Sequence, residues 1–112
     1  MNTLKNKVQL IGNLGAAPEI KTLDNGNKLA KFALATNETY RNRDGEKITD
    51  TQWHNIVIWG KLAGIVEQYV TKGSHIALEG KLATRKWEDK DGQTRYTTEV
   101  IASQLEMLGA KA

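Results

Sequence analysis

Trp87 stands in the run RKWEDKDGQTRY, residues 85–96, with Arg85, Lys86, Glu88, Asp89 and Lys90 as its neighbours. Charges on both sides deny the indole a dry pocket, so its flat amphipathic surface is left for another use. The chain holds three tryptophans, Trp53, Trp59 and Trp87. Aromatic faces set beside cations suit single-stranded nucleic acid, offering platforms for unpaired bases and positive charge for the phosphates between them. Duplex DNA presents only base edges in its grooves and no free base faces. Tyr40 sits in a polar stretch from Asn37 to Asp50 that reads as a long loop, where it can either pack that loop or stack a base. Arg41, Arg43 and Lys47 of this stretch are balanced by Glu38, Asp44, Glu46 and Asp50, so it is no basic clamp by net charge.

Other chemistries find no support. His54 and His75 lie on different predicted strands without a spaced carboxylate partner, and each reads as a structural or interface residue. Glu88, Asp89 and Asp91 are interrupted by Lys90 and followed by Gly92, which fits a solvated hairpin turn better than a cation site. Gly12 and Gly15 in LIGNLG lack the spacing of a dinucleotide fingerprint and the lysine of a P-loop. With no cysteine there is neither a disulfide framework nor a thiolate zinc site. No catalytic residue, metal or cofactor is expected, and the chain reads as a binding protein, not an enzyme.

The charge count, 16 Lys and Arg against 13 Asp and Glu, gives a net +3 and a mild lean toward anionic partners. The start, MNTLKNKVQLIGNLG, lacks a signal-like apolar stretch, and no run approaches the roughly 18 apolar residues of a membrane span. The expectation is a cytoplasmic, nucleoid-associated protein that does not engage a membrane. A length of 112 residues matches one domain with one core, spanning 1–112.

Elements that would position the aromatics follow from turn signals and periodicity. Asp24-Asn25-Gly26, Asp44-Gly45, Lys72-Gly73 and Asp91-Gly92 punctuate segments of strand length. Strands are predicted over 7–14, 28–36, 51–59, 74 to about 87, and 94 to about 108. In KLAGIVEQYVTKG the period changes: Leu62, Ile65, Val66, Tyr69 and Val70 recur at helical spacing, and Gly73 suits the closing turn. Three strands, one helix and two strands make an all-β chain with one helix. This is the order of the OB-fold, a five-stranded Greek-key barrel with a helix between strands 3 and 4.

Strict alternation then assigns faces. On the fourth strand Ile76, Leu78, Gly80 and Leu82 point to the core, while Ala77, Glu79, Lys81, Ala83, Arg85 and Trp87 point away. On the third, Ile56 and Ile58 face inward, leaving Trp53, Asn55, Val57 and Trp59 outside. On the second, Ala30, Phe32 and Leu34 share a face opposite Leu29, Lys31, Ala33 and Ala35. A packing reading stands beside the functional one, because a bulge reverses every parity behind it and a loop or partner subunit can cover a ring.

NKVQLIGNLGAAPEI, WHNIVIWGKLA and EGKLATRKWEDKDGQTRYTTEV resemble the bacterial single-stranded DNA-binding protein family, from about Asn6 to Leu108. The resemblance implies an OB-fold protomer, usually assembled into a homotetramer, that coats single-stranded DNA without sequence preference and protects it during replication, recombination and repair. Its base-stacking positions match Tyr40, Trp53, Trp59 and Trp87, and its phosphate-contacting positions match Lys7, Lys61, Lys72, Arg85 and Lys86. Lys31 and Lys81, on the same outward faces, are added to the phosphate contacts. The WH pair places His54 near the subunit interface.

Asn55 and Ala83 stand where relatives often carry a basic residue, which implies fewer ionic contacts. The resemblance also implies a Gly-, Pro- and Gln-rich tail with an acidic tip that recruits replication and repair enzymes. These residues end at LGAKA, and that acidic tail is expected to be absent from this chain. Two alternatives share the fold: an RNA-binding module, and a primosome-type relative that acts mainly through protein contacts.

Overall fold

Seven elements follow one another: β1 Val8–Leu14, β2 Glu19–Thr22, β3 Lys28–Arg41, β4 Lys47–Trp59, α1 Lys61–Tyr69, β5 His75–Glu88 and β6 Thr94–Met107. The computed structural model describes residues 5–108; the final GAKA, on which the expectation about the tail bears, lies outside them. Three hairpin turns share one hydrogen-bond pattern. Leu23, Asn42 and Asp89 each donate N–H to the carbonyl four residues on and accept from the glycine three residues on, at 2.7 to 3.1 Å. Those glycines, Gly26, Gly45 and Gly92, take φ of 87°, 78° and 78°, the region the turn signals anticipated.

The sheet runs β1-β5-β6-β4-β3-β2, and a further pairing of β1 with β3 closes five strands into a barrel. Closure rests on Asn13 opposite Ala35 and Leu14 opposite Leu34. Here β1 crosses so near β3 that a Cβ on Gly12 would stand 2.1 Å from the carbonyl oxygen of Ala35, a space only glycine fits. The short strand β2 was not anticipated. It continues β1 along the same side of β3, pairing Glu19 to Thr22 with Lys31 to Lys28. Pro18, which has no N–H for a ladder, stands in the break between them.

Leu14, Ala30, Phe32, Leu34, Ile56, Ile58, Ile76, Leu78 and Val100 fill the barrel, and α1 closes one end with Ala63 and Val66. The expected helical stripe is partly wrong: Ala63 is fully buried, whereas Ile65 and Tyr69 are exposed. Nine residues make only two and a half turns, and the barrel mouth covers one side of them. Leu82 departs as well, being 49% exposed instead of buried. The last β1–β5 pair is Val8 with Gly80, so beyond Gly80 no strand of β1 covers β5.

The stretch 37–50 is no loop. Antiparallel pairing continues from Asn37 opposite Thr51 to Arg41 opposite Lys47. Because both faces of this ribbon meet water, its side chains are polar on both sides and the alternation that marks a half-buried strand is missing. With the β5–β6 hairpin, paired as far as Glu88 and Thr94, it forms two arms on a molecule of 55 × 39 × 32 Å.

Candidate nucleic-acid interface

One outer wall of the barrel carries the three anticipated tryptophans. Register places Lys31 opposite Val57, Val57 beside Ile101, and Ile101 opposite Lys81, a row across four strands. Rows on either side hold Trp59 opposite Leu29, Trp53 opposite Ala35, Arg85 opposite Thr97 and Trp87 opposite Arg95. Between the two hairpins lies an open concavity of about 360 Å³, lined among others by Glu19, Lys31, Asn55, Val57, Arg85 and Glu99. Its Val57 is buried although it points outward, so the floor is apolar beneath charged walls.

The tryptophans are half-exposed: Trp53 59%, Trp59 50% and Trp87 42%. One bulge does occur, between Glu79 and Gly80, but the extra residue, Ser103, is on β6. The alternation of β5 therefore reaches Trp87 unbroken. Trp87 donates its indole N–H to Thr97 Oγ1 at 2.8 Å. Trp53 brings the outer edge of its six-membered ring against Gly15, where an added Cβ would stand 2.7 Å from Cη2 and Cζ3 and 3.9 Å from Cε3.

The cations divide into groups. Lys31 lines the concavity, Lys81 is exposed in the outward row, and Lys61 opens α1 two residues after Trp59. Lys72 is exposed in the turn before β5. Arg85 lines the concavity and pairs with Glu99, Nε to Oε1 3.3 Å. Lys7, just before β1, lies 3.6 Å from the carboxylate of Glu79. Lys86 is one residue out of phase with Arg85 and Trp87, and faces the other side of its arm opposite Tyr96.

Tyr40 is 54% exposed on the β3–β4 arm, but the unbroken register puts it on the parity of Leu34 and His54, opposite that of Trp53. His54 is half-buried, with Nε2 at 3.0 Å from Thr36 Oγ1. Asp89, in the β5–β6 turn, has its pKa lowered, first by the Arg95 side chain and then by backbone N–H groups of Gln93 and Asp91. Among the described residues no group of three or more His, Cys, Asp or Glu is placed to hold a metal ion.

The sequence profile of the single-strand binding protein family matches residues 5–108. The chain belongs to that family. It is 47% identical over 107 residues to single-stranded DNA-binding protein 1 of Xylella fastidiosa (strain 9a5c), covering 95% of this chain and 79% of the relative. Its fold superposes on the Plasmodium falciparum SSB, solved in complex with single-stranded DNA, with a TM-score of 0.86 at 39% identity, covering 97% of this chain and 100% of that one. A deletion mutant of the single-stranded DNA binding protein from Thermus aquaticus matches with a TM-score of 0.80 at 28% identity, over 93% of this chain and 50% of that one. The closed five-stranded barrel with one helix is thus the fold of SSB-family structures.

Four residues of this wall escaped the sequence reading: Gly15 at the ring edge of Trp53, Thr97 holding Trp87, and the acids Glu19 and Glu99. The alternation of TRYTTEV, which sets Arg95, Thr97 and Glu99 on one face opposite Trp87, Arg85 and Ala83, was a signal that could have found two of them.

Proposed function

We propose that this SSB-family chain binds single-stranded DNA without base preference and protects it in replication, recombination and repair. The observation that carries this reading is the wall on which half-exposed Trp53, Trp59 and Trp87 flank an open concavity holding Lys31 and Arg85. Indole faces accept any base, and cations track the phosphates. Lys61 and Lys81 extend that cationic track, and Lys72 guards its end beyond α1. Tyr40, on the far face of its arm, and Lys86, on the far face of the other, take bases and phosphates from strand that wraps around the arms. Lys7, occupied by Glu79, contributes least. The chain acts as a binding protein without catalysis, one OB-fold unit spanning 1–112, in the bacterial cytoplasm on the nucleoid.

A homotetramer is part of the same proposal. Among the described residues the Val8–Gly12 edge of β1 is unpaired on the side away from β5, and Ile11 within it is exposed, so a second copy can cover both. His54 lies near such contacts. A solution mass of one 12.5 kDa chain would overturn this assembly.

The deciding experiment is intrinsic tryptophan fluorescence on titration with oligo(dT), with oligo(U) as competitor. Strong quenching by oligo(dT) that oligo(U) displaces poorly supports the reading. Equal competition favours RNA, and no quenching favours a module acting through protein contacts.

A further inference from the structure

The cations of the concavity do not stand alone. Lys31 has Glu19 as its register partner across β2 and β3, and Arg85 is engaged by Glu99. The Arg85–Glu99 pair is unequal: the arginine side chain is 54% exposed, the glutamate only 13%. The carboxylate therefore sits at the base of the wall and takes the guanidinium through Nε, and neither terminal nitrogen is the atom that meets it. A phosphate that reaches those nitrogens must approach a carboxylate that is held in place and shielded from water, so their repulsion is screened less than between surface charges.

We propose that Glu99 is an affinity-restraining residue of the single-stranded DNA groove, whose carboxylate competes with the DNA phosphate for Arg85. The inference rests on the proposed function and deepens it. In the free protein Arg85 is already paired with a carboxylate, so its phosphate contact in part exchanges one anion for another instead of adding a full neutralisation. Restraint of this kind keeps a coating protein easy to displace by the enzymes that follow it on the strand. Glu99 also orients the guanidinium, and glutamine preserves that role: Glu99→Gln keeps an oxygen acceptor for Nε and removes only the charge.

The test is oligo(dT) affinity across a salt series for the parent, Glu99→Gln, Arg85→Ala and the double variant, with circular dichroism to establish the fold. Glu99→Gln should tighten binding about five-fold at low salt. Its slope of log affinity against log salt should steepen by up to about 0.7 per protomer. In the Arg85→Ala background the same change should do less than two-fold, and a dT oligomer with uncharged methylphosphonate linkages should gain nothing. Unchanged or weaker binding by Glu99→Gln overturns the proposal, as does equal tightening without Arg85, which would make Glu99 a mere contributor to the general field. A parent that fails to bind oligo(dT) at all sinks the proposed function itself, and the restraint with it, whereas a parent that binds and a Glu99→Gln that does not tighten sinks the restraint alone.

Discussion

The outer ring of Trp53 rests on Gly15, so close that a Cβ there would stand 2.7 Å from Cη2 and Cζ3. The indole is thus held at its outer edge by the end of β1, while the residue stays 59% exposed. An edge contact of this kind reduces the conformational freedom that stacking a base would otherwise remove.

Substituting Gly15 should move the ring without unfolding the barrel, because its φ is not positive and the clash is with the far end of a side chain. Gly15→Val should lose most of the stacking contribution of Trp53, about 1 to 3 kcal/mol of oligo(dT) affinity. Tryptophan emission should shift with it while the thermal midpoint changes little, and an unchanged affinity would mean that Trp53 needs no backing.

Trp87 and Arg85 should leave different signatures. Trp87→Ala should weaken oligo(dT) binding by about 1 to 3 kcal/mol at low and high salt alike, with no dependence on base sequence. Arg85→Ala should lose its effect as salt rises and flatten the salt slope by a fraction of about 0.7. If Trp87→Ala binds like the parent, the indole held by Thr97 is a packing residue.

Core positions answer to a different measurement. Ile76 and Ile58 are both fully buried, and truncating either to alanine should cost about 2 to 5 kcal/mol of stability in denaturant unfolding. Leu82→Ala, on the same parity of β5 as Ile76 but half-exposed, should cost much less. Equal costs would contradict the termination of the β1–β5 ladder at Gly80.

The β5–β6 turn should loosen in acid. Asp89 has a folded pKa below the ordinary aspartate value, so its stabilisation of the turn is complete above the unfolded value and is lost as pH falls through the lowered one. Protection of the Asp91 and Gln93 amides, which both donate to Asp89 Oδ1, should fall over that acidic window when exchange is measured against the intrinsic rate at each pH, and Asp89→Asn should remove the dependence.

Much of the wall was legible because β-strand alternation is local. Trp53 and Trp59 are outward because Ile56 and Ile58 are inward, and Trp87 is outward because no extra residue interrupts β5. The arm from Asn37 to Asp50 was not legible, since a ribbon wetted on both faces has no apolar period to read. Tyr40 accordingly passed for a loop residue, and Lys86 was grouped with its sequence neighbour Arg85 although alternation sends the two to opposite faces.

By itself the sequence determined the order of the five barrel strands and the helix, though not β2, together with the turns at Gly26, Gly45 and Gly92, the inward set from Ala30 to Leu78, and the aromatic and cationic residue types, all of which depend on neighbours a few positions away. Only the tertiary structure decided what those residues meet. Gly15 at the ring edge of Trp53 joins positions 38 residues apart through closure of the barrel, and Thr97 at the indole of Trp87 and Glu99 on Arg85 join positions 10 and 14 apart through the register of the β5–β6 hairpin. Such contacts depend on which strand lies beside which and at what offset. That is a property of the whole packed sheet, and no local period encodes it.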